Sequence, residues 1–330
     1  MGKLSSDLLA RLLAGFAPWP PDVRLGPTVG EDACVLDVAA GALVVATDPI
    51  TLTGSGIGRL AVTINANDVA VTGARPRWFL AAVLLPPGTT EAEVEAVFGS
   101  LHEGLAAVGA ALVGGHTEVT GAVNQPVVVG QMLGLIEHGP AGEARPCSTA
   151  GARPGDVVVQ VGAAPIEGAA VLAAEAADRL RDLDRATRAA AEQAADEPGT
   201  SVVEQALVAA ALGATAMHDP TEGGLAGGLH ELAAAAGVAV HVDRSAVVWF
   251  EPGLAVCRAI GADPWATLAS GALLATFDPA DAPAAVDELT AAGHPTAVIG
   301  TISTGAGVVG TDARPVVWPE RDEVARILSS

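Results

Sequence analysis

The stretch Asn65-Ala66-Asn67-Asp68-Val69-Ala70-Val71-Thr72-Gly73-Ala74-Arg75-Pro76 constrains this chain more than any other. Leu60 to Ile64 is apolar enough to begin a helix, and Gly73 followed by Pro76 is a place to end one. Asn and Asp sit poorly inside helices, because their side chains compete for backbone hydrogen bonds. Here Asn65, Asp68 and Thr72 recur at i, i+3 and i+7, a polar stripe on an otherwise apolar helix. The run Trp78 to Leu85 follows at once and reads as a buried strand, so the helix is expected to be covered. Covered polar groups need a partner or a job, and the stripe is read as functional rather than solvated.

The flanking segments supply more carboxylates. Glu31-Asp32 precedes one short apolar strand and Asp48 closes a second, Ala42 to Ile50. A hairpin turning near Ala39 to Gly41 would bring Asp32 and Asp48 to the same end. Paired carboxylates repel unless a proton or a cation intervenes, so Asp32 and Asp48, with Asp68 to follow, are read as a divalent-metal site. Thr53-Gly54-Ser55-Gly56-Ile57-Gly58 lacks the lysine of a phosphate loop and reads as a connector. Thr90 with Glu93 opens an amphipathic helix to Val108. A strand from Ala111 then runs into Gly114-Gly115-His116-Thr117, where glycines let backbone amides approach a phosphate or simply make a bulge. With the strand Gln125 to Ile136, the first half reads β-β-α-β-α-β-β, helices on one face of a mixed sheet.

Pro140 to Pro154 is the expected domain boundary. Beyond it come a strand at Asp156 to Val161 and a long alanine-rich amphipathic helix or helix pair, Pro165 to Pro198, whose alternating charges read as a solvated outer face. The second strong signal is Met217-His218-Asp219-Pro220-Thr221-Glu222-Gly223-Gly224-Leu225. Asp219 suits an N-cap, Pro220 the first helical position and Glu222 the third. Capping does not explain two glycines in the first turn, each costing about 1 kcal/mol against alanine. A helix start bared by glycine is instead read as an anion site. Strands at Val238 to Val242, Gly271 to Phe277 and Ala297 to Thr301, a helix at Ala280 to Ala292 and a polar tail complete the chain.

Composition narrows the partners. Seventeen basic residues against thirty-eight acidic ones give a net charge of −21, which argues against nucleic acid or an anionic membrane surface. No run approaches a membrane span or a signal peptide, and Cys34, Cys147 and Cys257 form no CxxC pair. A cytoplasmic protein without disulfides is expected. No Ser-His-Asp or Cys-His nucleophile has a recognisable context, which leaves carboxylates and glycine turns, the chemistry of metal-nucleotide binding.

Gly30-Glu31-Asp32-Ala33, Thr47-Asp48-Pro49, Asn67 to Pro76, Gly114-Gly115-His116-Thr117 and Asp219 to Leu225 occur in family order. They resemble the superfamily of aminoimidazole ribonucleotide (AIR) synthetase, thiamine monophosphate kinase, selenophosphate synthetase and the hydrogenase maturation protein HypE. The likeness covers nearly the whole chain and is strongest to HypE-like AIR synthase-related proteins. It implies a two-domain α/β (α+β), PurM-like fold, with an ATP- and metal-binding dimerisation domain at 1–145 and a C-terminal α/β sandwich at 146–330. It also implies a homodimer in which the N-terminal mixed sheets close a barrel, with ATP and Mg²⁺ bound. Asp32, Asp48 and Asp68 would hold the metal. Thr47, Asn67, Gly114, Gly115, His116, Thr117, Thr221 and Gly223 would bind the nucleotide, and Asp219 and His116 are the catalytic candidates. ATP in this family typically activates an oxygen by phosphorylating it, which needs positioning and charge neutralisation more than a nucleophile. The acceptor is an unidentified small molecule or protein group.

Two departures from the pattern stand out. HypE ends on a cysteine that accepts a carbamoyl group, whereas this chain ends Ala325-Arg326-Ile327-Leu328-Ser329-Ser330, so chemistry on its own tail is not expected. His116 also stands where the kinase and HypE members usually place Asp, leaving Glu118 as the nearest carboxylate. The alternatives are a thiamine monophosphate kinase and a nucleotide-binding regulator or maturation partner without turnover.

Overall fold

A computed structural model of the chain describes residues 6–25, 35–36, 41–51, 56–137 and 146–329. Contacts divide it into two compact units, Met1–Ala70 with Ala74–Pro146, and Val71–Gly73 with Cys147–Ser330.

In the first unit the order is α1 (Ser6–Ala14), β1 (Val23–Leu25), β2 (Val35–Leu36), β3 (Gly41–Ile50), α2 (Ile57–Ala70), β4 (Arg75–Leu85), α3 (Glu91–Val108), β5 (Ala111–Val119) and β6 (Val127–Glu137). Four strands form a sheet in the order β3-β6-β4-β5, parallel only between β4 and β5. That parallel pair needs a crossover, which α3 provides. The reciprocal box of Thr90 and Glu93 opens α3 as its sequence predicts, and Gly109 closes it in the left-handed conformation.

Alternation along the strands separates two faces. Phe79, Ala81, Val83 and Leu85 of β4, with Val128 and Met132 of β6, are buried on the helix side. Their neighbours Leu80, Ala82, Leu84, Val129 and Leu133 are only half-buried on the opposite side, where Leu43 and Val45 of β3 are exposed. Among the described residues, the expected pairing of β2 with β3 does not form. β2 pairs with β1, and β3 finds its partner in β6, nearly ninety residues on. The run Val44-Val45-Ala46 had the composition of a strand but nothing that named its neighbour.

The second unit runs β7 (Val157–Val161), α4 (Glu167–Glu175), α5 (Arg185–Glu192), α6 (Val203–Ala211), β8 (Ala216–His218), α7 (Gly224–Ala236), β9 (Val238–Val242), α8 (Glu251–Ile260), β10 (Leu273–Phe277), α9 (Ala282–Ala291), β11 (Thr296–Thr304), β12 (Gly307–Gly310) and α10 (Glu323–Leu328). Its six-stranded sheet has the order β12-β9-β11-β7-β10-β8, antiparallel except between β12 and β9. Leu225, Leu229 and Leu232 of α7 pack on Val158, Val240, Leu274 and Ile302 to make its main core.

One sequence expectation holds here and one changes. The segment Pro165 to Pro198 forms a helix pair, α4 and α5, joined through a 3-10 turn, and Asp184 caps the start of α5. The pattern is amphipathic: Ala169, Leu172 and Ala173 of α4 are completely buried, while Glu175, Asp178 and Arg179 are exposed. The tail is not simply polar, since Val324 and Ile327 of α10 enter that same cluster with Leu172, Val256 and Leu268. Among the described residues no helix is long and apolar enough to cross a membrane.

Candidate functional site

In the first unit, strand register places the candidate residues. Asp48, Gly130, Ala81 and Gly115 form one row across all four strands, on the face that α2 and α3 cover. The adjacent rows carry Thr47 and Gln131, then Ala82 and His116, on the open face. The register therefore sorts the predicted site. Asp48 and Thr117 belong to the helix side, whereas Thr47, His116 and Glu118 belong to the open side.

Asp48 is half-buried on an edge strand and is held through its backbone. Its N–H donates to Asn65 Oδ1 at 2.8 Å, and its carbonyl accepts from Asn65 Nδ2 at 3.3 Å, an amide that also donates to Ala61 O at 2.8 Å. An edge strand would otherwise leave those groups unpaired. Asn65 is thus a structural clamp on Asp48, and the polar stripe is not one functional row. Asn67 is fully buried, Asp68 is half-buried, and α2 stops at Ala70, so Thr72 lies beyond it, accepting Cys147 N–H at 2.8 Å through its carbonyl. The hydroxyl of Thr47 donates to Gly130 O at 2.8 Å.

Gly114 and Gly115 lie inside β5, where the ladder with β4 slips by a residue. Gly115 has φ +148°, and a Cβ there would stand 2.1 Å from Ala81 O. Backbone approach demands this glycine, which is the bulge that the sequence left as one alternative. His116 is exposed, with Nε2 3.7 Å from Glu118 Oε2 on the same strand face. Glu118, Asp48 and Asp68 offer hard oxygen donors of the kind magnesium takes. Asp32, the third predicted ligand, lies outside the described residues, and among the described residues no three His, Cys, Asp or Glu side chains converge on a common metal position.

In the second unit, the predicted helix start moves by several residues. α7 begins at Gly224, so Asp219, Pro220 and Thr221 form the loop that leaves β8, and Asp219 is not its N-cap. Gly223 occupies that position with φ +81°, and no side chain caps the helix from within its own sequence. A Cβ on Gly224 would meet Trp265 O at 2.5 Å and Thr267 O at 2.7 Å, so this turn is pressed against the 265–267 backbone. Thr221 O accepts from Gly224 N and Ala269 N, closing the loop. Asp219 is buried, 7% exposed, and His218 beside it bonds Glu231 of α7 at 2.8 Å, which lowers the Glu231 carboxyl.

The anion expected at the α7 amino terminus is present, and it belongs to the chain itself. Gly223 N–H donates to Asp322 Oδ2 at 2.8 Å, while Asp322 Oδ1 accepts from Val324 N and caps α10. Around it stand more carboxylates. Glu167, at the start of α4 and buried, has its carboxyl pushed up by desolvation, with Asp322 and Glu222 adding like charge. Desolvation raises Asp322 too, against hydrogen bonds from Gly223 and Val324, and Glu222 adds to the rise. Nothing local in the sequence marks Glu167. For Asp322 the signal was an N-cap residue followed by Val324 and Ile327 at i and i+3. Cys147 and Cys257 are free, and burial holds both thiols up at about 11, so neither is poised as a nucleophile.

Comparison with known proteins matches residues 30–136 to the N-terminal domain of AIR synthase related proteins and residues 153–312 to their C-terminal domain. The carbamoyl dehydratase HypE of Rhodobacter capsulatus is 32% identical over 246 residues, 74% of this chain and 68% of that protein. The thiamine-monophosphate kinase of Mycobacterium tuberculosis is 31% identical over 272 residues, 78% of this chain and 76% of the kinase. Among solved structures, the hydrogenase maturation protein HypE in complex with ATP superposes with a TM-score of 0.78 at 25% identity, covering 97% of this chain and 94% of that one.

Proposed function

Because this chain belongs to the AIR synthase related protein family, we propose that it is an ATP- and magnesium-dependent enzyme of hydrogenase maturation, acting on a carbamoyl-type group. The observation that carries this reading is the 32% identity to a carbamoyl dehydratase, together with the fold shared with an ATP-bound HypE. Phosphoryl transfer from ATP to the carbamoyl oxygen turns that oxygen into a leaving group. Loss of phosphate and of the two nitrogen-bound protons then leaves a nitrile. No step needs a side-chain nucleophile, consistent with the two raised thiols. Magnesium, when bound, would neutralise the phosphates, and Asp48 and Asp68, with Asp32, are the proposed ligands. Thr117, Asn67, Gly114 and Gly115 are the proposed nucleotide contacts of the first unit, and Thr221 and Gly223 are kept as candidates within the second unit taken by itself. Thr47 and His116, placed by register on the opposite sheet face from Asp48, are the weaker members of that set, and Asp219 is retained as the catalytic candidate.

We also propose that two copies pair through the open face of the first unit's sheet. Leu43 at 47% and Val45 at 59% exposure, continuous with Leu133 and Leu80, form an apolar face that a folded monomer has no reason to leave bare. Thr47, His116 and Glu118 on that face would then lie at the interface between copies.

Binding decides the first proposal. The wild-type protein should melt higher only when ATP and Mg²⁺ are both present, and Asp48→Asn and Asp68→Asn should lose that rise while melting normally without ligand. Identical shifts in the variants would remove these residues from the site. A second reading, thiamine monophosphate kinase, is favoured by the 31% identity to that enzyme. Formation of thiamine diphosphate from thiamine phosphate and ATP would select it.

A further inference from the structure

Strand β8 ends on His218, whose ring is held in a pair. Its Nε2 lies 2.8 Å from Glu231 Oε2 on α7. A carboxylate only accepts, so in the neutral imidazole Nε2 carries the proton and Nδ1 keeps the lone pair. The neighbouring ring atom fixes which way that lone pair looks. Cδ2, bonded to Nε2, stands 3.3 Å from where a Cβ of Gly228 would be. The Nε2–Cδ2 edge therefore rests on α7, and Nδ1, across the ring, faces away from the helix. The side chain is 22% exposed, so the ring is not sealed in. Among the described histidines, His218 alone has a carboxylate within hydrogen-bond distance: Glu118 is 3.7 Å from His116, and Glu204 is 4.0 Å from His294.

We propose that His218 is the general base of the reaction, its Nδ1 taking the last nitrogen-bound proton of the phosphorylated carbamoyl group, and that Glu231 is the positioning residue that holds the ring. The proposal rests on the carbamoyl reading above and adds to it the group that removes the proton. The N–H bond breaks and its electron pair becomes the third carbon–nitrogen bond. The carbon–oxygen bond breaks with its pair going to phosphate, which then collects the proton from the imidazolium. Nothing is oxidised or reduced, and the base returns to its starting state.

Stability does not account for this arrangement. Glycine inside a helix costs stability against alanine, and an ion pair as open as this one, with Glu231 47% exposed, returns little. Gly228 is nevertheless required, because a Cβ there would stand 2.6 Å from Pro220 Cβ. That glycine lets the loop from His218 to Pro220 lie directly on α7, which brings the imidazole to Glu231. Strand register fixes the same residue from the other side, since His218 pairs with Leu274 of β10. Asp219, the catalytic candidate, follows next in the chain and is buried. A histidine oriented by a carboxylate, with its second nitrogen turned outward, is what a proton acceptor needs. The reaction calls for no nucleophile, but every nitrile formed must give up a proton from nitrogen.

The test uses the full chain with ATP, Mg²⁺ and S-carbamoyl-N-acetylcysteine as the probe, following ADP and the nitrile product separately through a single turnover. His218→Gln should keep the melting rise with ATP and Mg²⁺ and should still form ADP, while nitrile formation falls about 100-fold or more. The wild-type nitrile rate should drop about tenfold for each pH unit on its acid side, as the imidazole takes its proton, and the residual rate of His218→Gln should lack that limb. Glu231→Gln, which loosens the ring without removing the base, should keep the limb at a rate about tenfold lower. Nitrile formation by His218→Gln at the wild-type rate, or a wild-type rate with no acid limb, overturns the base and leaves the carbamoyl reading standing. No nitrile from the wild type brings down the carbamoyl reading and the base together.

Discussion

At the scale of single residues, Gly115 and Asn65 hold the most structural information around Asp48. A methyl group on Gly115 would stand 2.1 Å from Ala81 O, a separation that only backbone movement in β4 or β5 can relieve. Gly115→Ala should therefore cost on the order of 3 kcal/mol, read as a fall in the urea midpoint. Asn65→Leu keeps the size of the side chain but strips the N–H and carbonyl of Asp48 of their partner. Each orphaned backbone group costs about 1–3 kcal/mol unless water reaches it. Asp48 is only half-buried, so a loss near the lower end is expected, with faster hydrogen exchange at Asp48 as its local signature. An unchanged Asp48 amide would show that the strand does not need the clamp. The sequence flagged Asn65 correctly as a polar residue with a task. It could not reveal that the task is to hold a neighbouring backbone, because i, i+3, i+7 spacing gives a face and not the face's partner.

At the scale of elements, local chemistry was legible and long-range pairing was not. The capping box at Thr90 follows from a neighbour three residues away, and it forms. The start of α7 was misread because Asp219-Pro220 has the composition of a cap. What decides the boundary is Gly224, pressed against Trp265 and Thr267 from more than forty residues away. Among the described residues β2 and β3 do not pair, for the same reason, since adjacency in sequence was the only pairing evidence available. The start of α4 carries a measurable consequence of such distant contacts. Burial raises the Glu167 carboxyl above its ordinary 4.5, so the folded chain holds that proton more tightly than the unfolded chain does. Its contribution to stability is full below pH 4.5 and is lost as the pH rises through the folded value. Glu167→Gln, neutral at every pH, should raise the melting point at pH 7–8 relative to wild type and flatten the decline above pH 4.5. A variant that melts lower at pH 8 would mean that the ionised carboxylate has a stabilising partner.

At the scale of the whole molecule, the proposed pairing of copies sets two forces against each other. Burying Leu43, Val45 and their neighbours against a second copy removes apolar surface from water, at about 25 cal/mol for each Å². Bringing together two chains that each carry a net charge of −21 opposes it. The two terms answer differently to salt. Screening at 0.1 M or more shortens electrostatic range to about 10 Å, while apolar burial is untouched or strengthened. Sedimentation equilibrium should therefore find association that tightens as sodium chloride rises from low ionic strength. Val45→Lys separates this face from any other route to association. Val45 is exposed at 59%, so the substitution should leave the stability of the monomer within about 0.5 kcal/mol of wild type. Placed in an apolar interface, the same lysine must be desolvated without a partner, and the dimer should be lost at every salt concentration. If Val45→Lys still dimerises with the wild-type salt dependence, the open face is not the contact. His116 and Glu118, which share that face, would then remain at the surface of a single copy.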